Sequence, residues 1–171
     1  SELDTVDYGT ISASVILQTV SILLCKECRK KDILRLPKKK VIDIWPDAVD
    51  AIKYTVDFFR NSLRIPVSHL LPYPNLIAPF AYYFHKAKNK PTGQKLKYLQ
   101  DFFWRASIGG RYSQSVESRL SQDIAKIDLI LKGKLPKYEW TVDITPDFIA
   151  QNGCFSVGRA YIKALLCILA Y

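Results

Sequence analysis

With 171 residues, 49% of them hydrophobic and 24% charged, the chain has the composition of a globular protein, which excludes wholesale disorder. Its formal net charge of +9 points either to a polyanionic partner or to a solvated face that keeps the chain soluble. The longest apolar stretches, Val15–Leu24 and Ala164–Tyr171, fall short of the roughly 20 residues a bilayer demands, and Ser1-Glu2-Leu3-Asp4 does not open a signal peptide, so a cytoplasmic chain without a membrane partner is expected.

The pattern along the chain is helices punctuated by Pro and Gly. A first helix is expected from about Ile11 to Arg29, with Val15, Leu17, Val20, Ile22, Leu23 and Leu24 as a broad apolar face. Pro37 ends any continuation through Ile33-Leu34, and Pro46 with Asp47 in the first turn is expected to start the next helix. That helix runs to about Leu63 on the stripe Val49, Ile52, Val56, Phe59 and Leu63. Pro74 opens a helix through Phe84, with Pro79 in its first turns. Thr92 caps one that ends at Gly109-Gly110. Ser113 or Ser115 caps another, carrying Val116, Leu120, Ile124, Ile127 and Leu131 and closed by Gly133. Residues 134–144 lack a helical period and are the best candidate for a strand. Thr145-Pro146 starts a short helix, ending before Gly153. Ser156 caps a last one, Val157 to Tyr171, apolar nearly all round after Lys163 and therefore expected to be buried. The expected fold class is mostly α, an irregular multi-helix bundle with at most a minor β-hairpin. The absence of Met and the apolar pattern broken at Tyr171 make residues 1–171 a single helical region, read as a fragment of a larger multidomain protein.

The positive charge is concentrated in two windows. Lys26–Lys40 holds eight basic residues against Glu27 and Asp32, and Lys86–Lys97 holds five lysines and no acid. The candidate nucleic-acid contacts are Lys38, Lys39, Lys40, Lys86, Lys88 and Lys90, together with Arg105 and Arg111. The last two bracket Phe102-Phe-Trp-Arg-Ala-Ser-Ile-Gly-Gly-Arg-Tyr-Ser113. Two arginines beside free backbone N–H groups at a helix start can hold a phosphate. Equally, Trp104 and Tyr112 can pack the corner while the arginines bind helix-end carbonyls or pair with Glu117 or Asp123, and the balance favours packing.

No catalytic site, metal site or cofactor is expected. Cys25-Lys-Glu-Cys28 is a C-x-x-C near a helix end rather than at a helix start, and Cys154 and Cys167 do not form a second pair, so ordinary free thiols are expected. His69 and His85 stand alone; His69-Leu-Leu-Pro72 has the His-x-x-Pro form of some HNH nucleases without the second His or the Asn that chemistry needs. There is no G-x-G-x-x-G and no Walker loop.

Three blocks carry a resemblance: Leu71-Pro-Tyr-Pro-Asn-Leu-Ile-Ala-Pro79; Trp104 with Arg111-Tyr-Ser113, continued to Asp123 and Ile124; and Arg159 to Tyr171. Over residues 70–171 the chain resembles the middle, helical region of GmrSD-like bacterial defence proteins. Those join a ParB/sulfiredoxin-like nucleotide-hydrolysing domain to an HNH nuclease domain. The Asp-Gly-Gln-Gln-Arg type motif of the first and the His/Asn set of the second are missing here, so no catalytic residue carries over. The resemblance implies a non-catalytic connector, DNA-facing, between flanking nucleotide-hydrolysing and nuclease domains of a restriction protein directed at modified DNA. The competing expectation is a protein-interaction or regulatory module whose basic windows meet an acidic partner.

Overall fold

In the computed structural model residues 9, 11–152 and 158–169 are described, and they form eight helices: α1 (Ala13–Cys25), α2 (Lys30–Leu34), α3 (Lys38–Ser62), α4 (Ile77–Ala87), α5 (Gly93–Ile108), α6 (Val116–Leu131), α7 (Pro146–Asn152) and α8 (Ala160–Leu169). The fold is mostly α, as expected. No strand occurs among the described residues. The strand candidate at 134–144 is an extended strap, because a lone segment has no neighbour to complete a ladder.

Several boundaries move for local reasons. α1 is capped by Ser12, whose Oγ accepts from the Val15 N–H at 3.4 Å. It ends at Cys25 rather than Arg29 because Lys26 turns left-handed, with φ of 62°. α3 starts eight residues before Pro46, so that proline lies inside it. Lacking an N–H, Pro46 leaves the Ile42 carbonyl without its usual helical donor. Lys38, Lys39 and Lys40 therefore form the exposed first turn of a helix, not a loop. Single 3-10 turns at Ser68–Leu70 and Pro74–Leu76 precede α4. Thr92 and Ser115 hold the N-cap positions of α5 and α6 without a side-chain bond, whereas the Thr145 hydroxyl does accept from Phe148 N–H. α5 stops at Gly109-Gly110 and α6 before Gly133, and the left-handed backbone of Gly110 (φ 64°) and Gly133 (φ 72°) is the reason. α8 is covered on one side only. Ile162, Ala164 and Cys167 are buried, but Leu169 is 82% exposed, so the expectation of a helix buried all round is corrected. Gly153, Cys154, Ser156, Val157 and Tyr171 lie outside the described residues.

α4 is the central rod, with all eight residues from Ile77 to Phe84 buried. α3 runs antiparallel to it: Phe80 meets Phe59 at 5.0 Å and Phe58 at 5.6 Å, while Phe84 meets Tyr54 at 6.4 Å. α1 runs parallel to α4. Asn75 donates to Gln18 near its start (2.9 Å), and Lys26 reaches the Tyr82 ring near its end. α6 closes the third side, and α5 adds Phe102 and Phe103 to the aromatic cluster. Each such fully buried side chain contributes about 1.5–3 kcal/mol.

Candidate functional site

At the α5–α6 corner the two glycines let the chain reverse in little space. A Cβ on Gly109 would lie 2.6 Å from Trp140 Cδ1 and 2.7 Å from the Arg105 carbonyl. The strap fills that space, with Trp140 Nε1 donating to the Arg105 carbonyl at 2.9 Å. Arg111 and Tyr112 then turn inward toward α6. Arg111 Nε and Nη2 donate to the two oxygens of Asp123 at 3.0 and 2.9 Å, and Tyr112 donates its hydroxyl at 2.9 Å. Arg111 Nη2 also reaches Gln122 and Glu139, Lys126 lies 3.3 Å from Asp123, and the guanidinium sits 4.4 Å from the Trp140 ring centre.

Asp123 is wholly buried and Arg111 is 5% exposed. Burial works against the Arg111 cation, but the Asp123 hydrogen bonds and charge outweigh it, so its pKa rises. Burial, then the charge of Asp123, pushes the Tyr112 phenol well above its ordinary value. This corner is therefore an internal network. Arg111 pairs with Asp123, Arg105 holds Asp101 at 2.8 Å and lies over Tyr138, and the two arginines do not converge on an anion site. Tyr112 is buried, and Trp104 is half-buried with its ring edge-on to Phe103.

The lysines behave differently. Lys26, Lys86, Lys90 and Lys95 line one open cleft of about 840 Å³, with Tyr82 and Asp128 in its wall. It forms where α1, α4 and α6 end and α5 begins. Lys26 Nζ lies 2.7 Å from Asp128 Oδ2, and Tyr82 donates to Oδ1 at 2.7 Å. That hydrogen bond to Asp128 raises the Lys26 pKa. Lys26 and Lys86 both sit over the Tyr82 ring, at 5.6 and 5.9 Å from its centre. Among the described residues no carboxylate lies within ion-pair distance of Lys86, Lys90 or Lys95. Four cations around one already-shared carboxylate make a wall suited to phosphate.

The structure thus divides the lysines named from sequence. Lys86 and Lys90 share the cleft. Lys88, the left-handed cap of α4 (φ 54°), is not in that cleft; it lines one neighbouring pocket with Lys90, Tyr54 and Asp57 and another with His85, Asp47 and Asp50. Lys38–Lys40 lie farther out, since Asp47 faces His85 at 3.9 Å and Lys40 is about 10 Å farther along the helix axis. Lys26 and Lys95 belong to the cleft although sequence reasoning did not single them out. Their charge windows held the signal, but only the meeting of the ends of α1 and α4 selects them.

The three described thiols, Cys25, Cys28 and Cys167, do not build a second site. Cys28 is buried, and that burial, with the charges of Glu117 and Glu27, pushes it up to about 12. Cys25 is exposed and Cys167 is buried under the Leu70 carbonyl. Among the described residues no three His, Cys, Asp or Glu side chains cluster to hold a metal ion, and no helix is long and apolar enough to cross a membrane.

Comparison with protein-family models, with curated proteins and with solved structures returns no match to this chain.

Proposed function

We propose that this chain is a non-catalytic helical connector of a GmrSD-like restriction protein, and that it faces DNA through the cleft of Lys26, Lys86, Lys90 and Lys95. The observation that carries the reading is that cleft: lysines from two distant charge windows meet at one open wall, three of them with no carboxylate within ion-pair distance among the described residues. The choice of DNA as the polyanion rests on the resemblance of residues 70–171 alone. Lysine ammonium groups on a wall of this kind bind phosphates as point charges, so the contact is to the backbone and indifferent to base sequence. In the parent protein the flanking nucleotide-hydrolysing and nuclease domains supply the chemistry, and this segment holds the duplex between them.

A duplex titration at two salt concentrations tests the reading. Four phosphate contacts give a slope of about −3.6 in log affinity against log salt, or roughly a hundredfold loss between 50 and 200 mM. The triple variant Lys86→Gln, Lys90→Gln, Lys95→Gln should keep its helical spectrum and lose about 2.7 units of that slope. An affinity indifferent to salt, or a slope untouched by the triple variant, would overturn the assignment.

A further inference from the structure

Near its start α3 leaves one apolar edge uncovered while the adjoining edge packs on the core. Ile42, Trp45, Val49, Ile52, Val56, Phe59 and Leu63 recur at alternating spacings of three and four, the pattern of a helix–helix seam. From Ile52 onward every member of that series is buried. Before it the seam is open: Trp45 is 45% exposed and Ile42 is 60% exposed. The cause is length. α3 has 25 residues and spans about 37 Å, whereas the antiparallel α4 has 11 and spans about 16 Å. α4 therefore ends beside Asp47, where His85 lies, and in the turns of α3 before it Val41 and Ile44 still pack against the core while Ile42 and Trp45 stay exposed. Leu34, at the end of α2, is also exposed, at 76%.

The cations near this edge come first along the chain: residues 30–50 hold Lys30, Lys31, Arg35, Lys38, Lys39 and Lys40, all at or before residue 40, against Asp32, Asp43, Asp47 and Asp50. The first turn of α3 holds three lysines and no acid, and Pro37 offers no side-chain cap. The positive end of the helix dipole therefore meets positive side chains, an arrangement unfavourable for the isolated helix. No carboxylate among the described residues pairs with Lys38, Lys39 or Lys40.

We infer that the N-terminal half of α3, with α2, is a docking surface for an acidic amphipathic helix of a partner protein, which continues the seam where α4 stops. Its apolar residues at three-and-four spacing would cover Ile42, Trp45 and Leu34, and its flanking carboxylates would answer the lysines and the exposed N–H groups of the first turn. Duplex phosphates could use the lysines, but Leu34, Ile42 and Trp45 offer them nothing. An anionic bilayer could use both, yet it does not require a register that prolongs a packed helix seam. This surface is distinct from the lysine cleft, and the inference stands whether or not that cleft binds DNA.

The test uses the full chain and a synthetic helix of about three heptads, with Leu at the seam positions and Glu beside them, labelled for fluorescence anisotropy. The Glu-flanked peptide is expected to bind with a salt-sensitive affinity that weakens about tenfold or more in Ile42→Ser and again in Lys39→Gln. Both positions are exposed, so the fold should survive, and circular dichroism checks it. Lys86→Gln should bind the peptide as the parent does. A Lys-flanked peptide of the same seam that bound equally well would overturn the inference. So would Glu-peptide binding unaffected by Ile42→Ser. Binding of phosphatidylserine–phosphatidylcholine vesicles in place of the peptide, lost in the same two variants, would reassign the surface to membranes.

Discussion

Arg111 and Asp123 are bound to each other out of water, with Tyr112, Lys126, Gln122 and Glu139 around them. Removing one partner strands the other. Asp123→Ala should cost about 3–5 kcal/mol, because Arg111 would stay buried and uncompensated. Urea unfolding measures it, and replacing both residues together by apolar side chains should cost much less than the single change. At Gly109 the issue is space rather than backbone freedom. A methyl group there would strike Trp140 and the Arg105 carbonyl, so Gly109→Ala should destabilise by about 1–3 kcal/mol and displace Trp140, seen as a red-shifted indole emission. The Arg–Tyr corner with Asp123 was visible in the sequence as a local cluster, and its internal pairing was one of the two readings open there. The part played by Trp140, Glu139 and Lys126 was not visible. They reach the corner only because the strap folds back over it, and no local spacing encodes that return.

At the scale of helices, intrinsic pattern located seven segments well, placed the ends of α5, α6 and α7, and misjudged the end of α1 and the start of α3. Pro46 is the instructive case. Proline favours a helix start, but here the apolar seam runs through it from Ile42, and tertiary packing of the later turns carries the helix across the lost hydrogen bond. That error hid the lysines of the first turn, which read as a loop. Their cost is measurable. Lys39→Glu places a carboxylate where the dipole favours one, and should raise stability by about 0.3–1 kcal/mol at low salt. A melting temperature that rises while acidic-peptide binding falls would separate folding from docking at the same residue.

Across the whole molecule, acid should act in two stages. Burial lowers the His85 pKa, with Lys86 adding to it. The folded state therefore binds that proton less readily than the unfolded chain, and stability should begin to fall as pH drops below 6.5. His85→Gln should abolish this first, shallow stage. For Asp128 and Glu139 burial opposes ionisation, but hydrogen bonds from Lys26 and Lys126 outweigh it and hold both carboxyls below their ordinary 3.8 and 4.5. Their contribution is complete above those values and is lost as pH falls through the folded ones, which gives the second, steeper stage. Thermal melts from pH 8 to about 3 would resolve the two. The lysine cleft was only partly legible in the sequence for the same global reason. Charge windows announce how many cations are available, but helices α1, α4 and α6 decide which of them meet.

The ion pair of Lys26 with Asp128 spans 102 residues of chain. Cys28 and Glu27, whose contacts lie on α6 near Glu117 and Ser121, span nearly as many. During synthesis this has a temporal meaning. The apolar α1 leaves the ribosome well before the helix that covers its far end exists. At ordinary elongation rates of about 5–20 residues per second, that wait is roughly 5–20 s. For that interval Lys26, Glu27 and Cys28 lack their partners on α6, although α3 and α4, on which α1 packs, have already emerged. Chains arrested before α4 has emerged, with Val20, Ile22 and Leu23 still bare, should engage chaperones that bind exposed apolar segments, and chains released after α6 should not.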